Sequence, residues 1–295
     1  DDHVSGEYRG AAHSSCNLLK RRQRKIPVFI HNFRGYDSHL IVPALGNHKD
    51  QELRVIAQTM EKYLQVQFGE HLVYKDTMQF LGCSLARLIQ NLNTSGRQSF
   101  THLLHAFDQY SDSNVDLLLR KGVYPYDYMV DATKLKEKQL PPQAAFFNRL
   151  LQEACSLEDY EHAQRVWTEF RCTEMQHYHD LYLKCDVLQL ADVFETFRTT
   201  ALSQYGLDPA HYVSAPHLSW DAMLLTTRCK LDLLSDDAMF SMIQQSLRGG
   251  VAMITKRYGR ANNKYMDGHY DPNQPSKYLM YLDANNLYGW AMSQP

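Results

Sequence analysis

The sequence predicts a mixed α/β domain followed by the start of a second α/β unit. Short apolar runs rich in β-branched and aromatic residues fill residues 26–76. Helical spacing of apolar residues dominates residues 143–247, and a further short apolar run returns at 278–282. Strands on both sides of a helical block predict a mixed sheet with flanking helices, and then a further sheet.

Length and composition fit a globular protein. The chain has 295 residues, of which 44% are hydrophobic, enough for one large or two smaller domains. No apolar run approaches the ~18 residues of a membrane span. The six cysteines are widely spaced without a C-x-x-C pair, which favours a reduced, intracellular setting over a disulfide framework. Because the chain opens with Asp, we expect an internal fragment of a longer protein.

The first half reads as strands followed by helices. Residues 26–30 (IPVFI) predict a buried strand, Gly35 a turn, and 38–45 a helix. Alternation over 53–68 predicts a strand pair, and 72–76 (LVYKD) predicts another strand before a turn at 77–81. Ser84 opens a predicted helix.

The second half is mainly helical. After a loop-rich stretch at 94–145 we predict helices at 143–152, after Ser156, and at 174–204. Ser156 and Asp159 form a capping box, and Ser219 and Ser235 are predicted N-caps of two shorter helices. A strand beginning with glycines at 249–250, a turn-rich hairpin loop at 263–276 and a final strand at 278–282 complete the chain.

Charge is unevenly distributed. The formal net charge is −2, yet residues 20–25 (KRRQRK) and residues 248–264 each carry +5. Two basic segments on an acidic background are typical of phosphate-contacting surface. The alternative is a solvated loop and a solvated hairpin, and for KRRQRK alone the solvated loop is the preferred interpretation.

Two motifs point to nuclease chemistry. The first is HNFRGYD at 31–37, and the second is YLKCD at 182–186, where helical i to i+4 spacing puts a phenol and a carboxylate on one face. They resemble the Exo II and Exo III motifs of proofreading family B DNA polymerases. That resemblance implies metal ligands at Asp37 and Asp186, a water-orienting Tyr182, and contacts of Asn32 and Tyr36 with a single-stranded primer. The alternatives are an Asn-capped turn and a helix with one exposed acid.

Two weaker motifs lie between the others. KDTMQF at 75–80 resembles the segment of protein-primed polymerases that contacts single-stranded DNA and the terminal protein, which implies such contacts for Thr77 and Met78. SLRGGV resembles the Y-x-G-G/A linker that binds the template, with Leu247 in place of Tyr. The alternatives are a strand end and a β-bulge with a basic face. The template-contacting residues implied by the linker are Arg248, Gly249, Gly250, Lys256 and Arg257.

The final segment, YLMYLDANNLYG, ends a predicted strand in a single carboxylate, Asp283. It resembles motif A of family B DNA polymerases, with Asn for Ser and Gly for Pro, in the protein-primed viral, organellar and transposon-borne branch. The resemblance implies that Asp283 and the Ala284 carbonyl bind catalytic Mg²⁺ or Mn²⁺. It also implies a nucleotide site formed by Asn285, Asn286, Leu287 and Tyr288, with Tyr288 as the steric gate.

Together the motifs imply a ribonuclease-H-like 3′–5′ exonuclease domain followed by the start of a polymerase palm. The expected divisions are 1–25, a basic segment with a weak zinc pattern in His3, His13 and Cys16; 26–204, exonuclease-like; 205–247, a helical connection; and 248–295, early palm. Implied partners are DNA primer and template, dNTPs and a terminal protein, but no membrane. The implied location is intracellular, in the nucleus, an organelle or a viral factory, and not secreted. Because the D-x-E Exo I motif and the later polymerase acids are missing from this sequence, its two-metal sites are incomplete and we expect no activity from this chain alone.

Two other classes remain open. One is a non-catalytic or domesticated nucleic-acid-binding relic of such a polymerase, which the substitution at Leu247 favours. The other is a stand-alone ribonuclease-H-like nuclease, against which the motif at Asp283 argues.

Overall fold

A computed structural model describes residues 25–150, 152–247, 253–266 and 268–295, together with His13 and Gly249. It divides into two compact units, one up to Lys230 and one at Leu231–Pro295. The division falls inside the stretch expected to be a helical connection. Within the described part of the chain, none of the helices combines the length and apolarity needed to span a membrane.

The first unit contains one four-stranded mixed sheet. Its strands are β1 (Ile26–Ile30), β2 (Leu53–Ala57), β3 (Tyr63–Phe68) and β4 (Leu72–Asp76), in the order β1-β4-β3-β2. β1 and β4 are parallel, whereas β2, β3 and β4 are antiparallel neighbours. The strands predicted within residues 26–76 and the mixed sheet are therefore confirmed, but the predicted burial of 26–30 was wrong, since Ile26 is 55% exposed and no residue of β1 is fully buried.

Most of the helices lie in the sequence after the four strands. They are α1 (Ser38–Leu45), α2 (Leu85–Thr94), α3 (Thr101–Ala106), α4 (Asp112–Asp116), α5 (Leu157–Glu169), α6 (Met175–Tyr205), α7 (Ala215–Thr227), α8 (Asp237–Ser246) and α9 (Leu287–Met292). Ser84 and Ser156 cap α2 and α5 as predicted, each accepting a hydrogen bond from the backbone three residues later. α6 ends where Gly206 adopts a left-handed conformation with φ 68°.

The long helix α6 organises the core of this unit. Its Cys185 and Val193 pack with α2 and α3, and its Met175 and Tyr178 pack with α5. Further along, the ring of Phe194 lies 4.2 Å from that of Phe29 in β1, measured between centroids. One helix therefore links the sheet to the helical layer, and any side chain on it has a fixed place relative to both.

Several element predictions were wrong. In the described part of 143–152 the helix is limited to a 3₁₀ turn at Gln143–Phe146, because the backbone of Asn148 pairs with that of Glu153 in an antiparallel bridge instead of continuing a helix. α7 begins at Ala215 after Ser214, with proline in its first turn, so Ser219 lies inside the helix. The cap of α8 is Asp236 rather than Ser235, since the Asp236 carboxylate accepts from Met239 N.

The described residues of the second unit do not form the predicted strands, and the start of the first of these, at residues 250–252, lies outside the described residues. Residues 253–261 and 278–282 are irregular, and Tyr281 and Leu282 are 94% and 80% exposed. A strand needs a hydrogen-bonded neighbour, and no described segment pairs with either stretch. The hairpin loop is confirmed, because Asn262 and Lys277 form an antiparallel bridge that closes it. The Asn262 side chain also donates to the carbonyls of Asp271, Gln274 and Pro275.

Candidate functional site

α6 presents Tyr182 and Asp186 toward a loop that carries a lysine. The Lys121 Nζ donates to Asp186 Oδ2 at 2.5 Å and to Tyr182 Oη at 2.9 Å. The side chains of Lys121 and Asp186 are 26% and 22% exposed. Gly122, the next residue, faces the Tyr182 ring, from which an added Cβ would lie 3.5 Å. The structure thus joins the predicted pair to a cation that sequence reasoning had not included.

Two further tyrosines extend this cluster. Tyr126 Oη lies 2.8 Å from Tyr182 Oη, and the Tyr124 ring centroid lies 5.0 Å from that of Tyr182. Tyr124 Oη is also hydrogen-bonded to His179 Nδ1 at 2.8 Å. Burial, and then the charge of Asp186, raises the pKa of the Tyr182 phenol well above its usual range. Tyr182 therefore keeps its proton at neutral pH and can donate a hydrogen bond.

The Asp186 carboxylate can accept a cation. Its Oδ1 is buried and has no hydrogen-bond partner among the described residues, whereas Oδ2 is held by Lys121. An unpartnered buried carboxylate oxygen fits a ligand of Mg²⁺ or Mn²⁺. In the part of the chain that the structure describes, no group of three or more His, Cys, Asp or Glu is placed to hold a metal ion.

The segment that follows β1 is anchored by a buried acid, Asp76, at the end of β4. Asp76 is fully buried and accepts from the backbone N–H of Asn32 at 3.0 Å and of Arg34 at 3.2 Å. The parallel register pairs Ile30 with Asp76 and so brings the two strand ends together. Asn32 has a left-handed backbone with φ 63°. Sequence reasoning missed Asp76, although its place at a strand end before Thr77 was a signal.

Tyr36 and Asp37 of the HNFRGYD motif are not buried. Tyr36 is 67% exposed, and Asp37 stands at the start of α1 without a side-chain capping hydrogen bond. Burial, and to a smaller degree the charge of Asp76, raises the pKa of Asp37. No hydrogen bond or ion pair joins Asp37 to Tyr182 or Asp186, all of which are described. The predicted role of Asp37 as a metal ligand stays a prediction.

The KDTMQF segment points inward. Thr77 is fully buried, and its hydroxyl lies 3.0 Å from His31 Nδ1, whose other ring nitrogen lies 3.0 Å from the Cys83 carbonyl. The Met78 N–H donates to Asp76 Oδ1 at 2.9 Å. Thr77 therefore contacts His31, the residue before Asn32, from the protein interior. Its predicted contact with DNA stays a prediction.

In the second unit, the motif around Asp283 is exposed. Asp283, Ala284 and Asn285 lie in an irregular stretch, and α9 then begins at Leu287 with Tyr288 77% exposed. Asn286 has a left-handed backbone, and its side chain lies against Gly289, where an added Cβ would be 2.4 Å from Asn286 Oδ1. The Gly that replaces the usual Pro of the motif therefore makes room for this asparagine.

The predicted template-contacting residues are only partly described. Arg248 and Gly250 lie outside the described residues, as do His3 and Cys16 of the weak zinc pattern. Lys256 and Arg257 are exposed in the irregular stretch 253–261, and Gly249 has open space at its Cβ position.

Comparison with known proteins agrees with the motifs. The profile of the family described as DNA polymerase type B, organellar and viral, matches residues 17–294. No curated protein and no solved structure shows significant similarity to the chain. The match spans both compact units and all of the motifs from Asn32 to Tyr288. The chain therefore belongs to the organellar and viral type B DNA polymerase family.

Proposed function

We propose that this chain forms the proofreading 3′–5′ exonuclease region and the first part of the palm of a protein-primed DNA polymerase. Such an enzyme would replicate a viral, transposon or organellar element inside the cell, using DNA, dNTPs and a terminal protein. The observation that carries the nuclease assignment is the contact of Lys121 with both Tyr182 and Asp186.

The chemistry expected of this cluster is phosphodiester hydrolysis. Divalent cations at such a site activate water and stabilise the leaving oxygen. Asp186 Oδ1 is the oxygen available to a cation, and Tyr182, which stays protonated, can orient a water molecule by hydrogen bonding. The Lys121 ammonium would offset negative charge at a phosphate held beside the cluster.

The accessible residues of the Asn32 segment suit single-stranded DNA. Tyr36 is an exposed ring on a segment fixed by Asp76, so a base can stack on it without ordering the backbone first. We assign Asn32 and Tyr36 to the primer end, and Asp37 to the cation site with Asp186. In the second unit we assign Asp283 and Ala284 to the polymerase cations and residues 285–288 to the incoming nucleotide.

A second candidate is a non-catalytic single-stranded-DNA-binding relic of the polymerase. It is favoured by the lack of any metal-holding group of three acids, cysteines or histidines among the described residues. For this chain we expect DNA binding without digestion, since Asp37 and Asp186 are too few carboxylates to hold two cations without those that an Exo I motif would supply.

The full chain incubated with a 5′-labelled single-stranded oligonucleotide and Mn²⁺ tests these assignments. We expect binding that weakens steeply as the salt concentration rises, and no shortening of the labelled oligonucleotide. Tyr36→Ala should weaken binding by about 1–3 kcal/mol, whereas Tyr205→Ala, at another exposed tyrosine, should not. Absence of binding at low salt would overturn the proposal. Digestion that Asp186→Asn abolishes would show a complete nuclease site and refute the relic.

A further inference from the structure

Gln189 is a fully buried amide one turn beyond Asp186 on α6. It lies three residues after Asp186 and seven after Tyr182, so the three side chains share one side of the helix. Its helical neighbours on that face, Cys185 and Val193, belong to the apolar core. A buried glutamine among apolar side chains is costly unless its polar atoms are used.

The Gln189 amide clamps the loop that carries Lys121. Its Nε2 donates to the carbonyl of Leu118 at 2.8 Å and to that of Arg120 at 3.0 Å. The Arg120 carbonyl belongs to the peptide bond that joins Arg120 to Lys121, so the clamp acts on the backbone of the lysine itself. The Gln189 Oε1 has no hydrogen-bond partner among the described residues. The side chain therefore acts through the two hydrogen bonds that its Nε2 donates.

The rest of the loop is held in the same way. The Leu117 carbonyl lies 2.9 Å from His162 Nε2, and the Val123 carbonyl accepts from Tyr178 Oη at 2.7 Å. The loop thus depends on side chains of α5 and α6 rather than on a neighbouring strand. Of these hydrogen bonds, the one from Gln189 to the Arg120 carbonyl is next to Lys121, and Gln189 lies on the helix that carries Asp186.

We infer that Gln189 is a positioning residue that sets the Lys121 ammonium on Tyr182 and Asp186. Loss of its amide would leave the carbonyls of Leu118 and Arg120 without this donor, which is unfavourable for polar groups shielded from water. The loop relieves that cost by moving the carbonyls toward water, and Lys121 moves with them. The inference rests on the proposed function only for the role of Lys121 beside a phosphate. The placement of the Lys121 side chain can be measured without DNA.

The test measures the placement of Lys121 by its reactivity. Brief acetylation of the folded chain, followed by mass spectrometry, gives the modification rate of Lys121 relative to the exposed Lys138 in the same molecules. We expect Gln189→Met to raise this ratio at least threefold. Asp186→Asn, which removes the partner of the ammonium, is the positive control.

Two matched variants separate positioning from general loosening. Tyr178→Phe removes one partly buried hydrogen bond to the same loop, at Val123, and Gln143→Met removes a side-chain hydrogen bond to the Cys155 carbonyl elsewhere. We expect neither to raise the Lys121 ratio. An unchanged ratio in Gln189→Met, or an equal rise in Tyr178→Phe, would overturn the inference. If Gln189→Met does not fold, Gln189→Asn, whose amide is one methylene short of the carbonyls, replaces it in the comparison.

The outcome is independent of the nuclease assignment. A chain that binds no DNA but shows the raised ratio keeps the inference and loses the proposed function. A chain that binds DNA, and whose Gln189→Met variant shows an unchanged ratio, keeps the proposed function and loses the inference.

Discussion

Lys121 and Asp186 are 65 residues apart in sequence, yet the lysine ammonium donates to Asp186 Oδ2 at 2.5 Å while Oδ1 of the same carboxylate is buried and unpartnered. One oxygen is thus paired with the lysine, and the other, which has no hydrogen-bond partner among the described residues, is the one that the proposed function assigns to a cation. In the proposed nuclease site, a carboxylate oriented in advance by Lys121 would reduce reorganisation during the reaction.

This pair should be energetically coupled. A double-mutant cycle with Lys121→Met and Asp186→Asn is expected to give a coupling of about 1–3 kcal/mol in the free energy of unfolding, because each single change leaves a partly buried polar group without its partner. The measurement is urea denaturation of the four proteins. The exposed pair Arg54 and Glu52 is the control, with an expected coupling below about 1 kcal/mol. Additive effects at Lys121 and Asp186 would contradict the prediction.

Asp76 should matter for both stability and binding. Asp76→Ala removes the acceptor of three backbone N–H groups, those of Asn32, Arg34 and Met78. We expect a loss of at least about 2 kcal/mol in unfolding free energy and weaker single-stranded DNA binding under folded conditions. Asp50→Asn, at an exposed loop position, is expected to change stability by less than about 0.5 kcal/mol. Full binding by Asp76→Ala would show that the Asn32 segment does not need this anchor.

Gly35 should control the orientation of the Asn32 side chain. A Cβ at Gly35 would lie 2.5 Å from Asn32 Oδ1, so the amide has to turn away, while the backbone of Gly35 accepts alanine without strain. Gly35→Ala is therefore expected to weaken DNA binding severalfold with little change in melting temperature. Gly82→Ala, where an added Cβ meets nothing within 4 Å, should change neither. Equal affinities for the two variants would rule out a binding role for the Asn32 amide.

Lys75 should give stability a distinct pH dependence. It is buried, donates to the carbonyls of Ala210 and Tyr212, and burial lowers its pKa from 10.5 to about 8. Between these values the unfolded chain binds more protons at this site than the folded chain. The stability of the native protein should therefore rise with pH from about 8 to 10.5, relative to Lys75→Met, by up to about 3 kcal/mol. Denaturation curves at several pH values measure the difference, and parallel profiles would contradict it.

Local signals in the sequence were sufficient for much of the fold. Ser84 and Ser156 mark helix starts because their side chains act within three residues, and the i to i+4 spacing of Tyr182 and Asp186 fixes their common face. Both depend on neighbours in sequence alone. The strand runs at residues 26–76 were recognisable for the same reason, through their β-branched and alternating composition.

Non-local contacts account for what was missed. Lys121 stands in a loop that is hydrogen-bonded to Gln189, on a helix about 70 residues later, and no periodicity in the loop sequence indicates this contact. Asp76 is bound to Asn32 only because β1 and β4 are parallel neighbours. The run at 278–282 has strand composition without a hydrogen-bonded neighbour among the described residues, and composition alone does not supply one.

The strand order of the sheet distinguishes a turn that tolerates insertion from a strand whose register must be kept. β2 and β3 form a hairpin at the outer edge, and its turn at residues 58–62 includes Met60, which is 91% exposed. β4 is different, since a slip of one residue would turn Asp76 to the opposite face and release the Asn32 segment. A peptide epitope or a fluorophore-binding tag inserted after Met60 would therefore label the protein while leaving the register of β1 and β4 undisturbed.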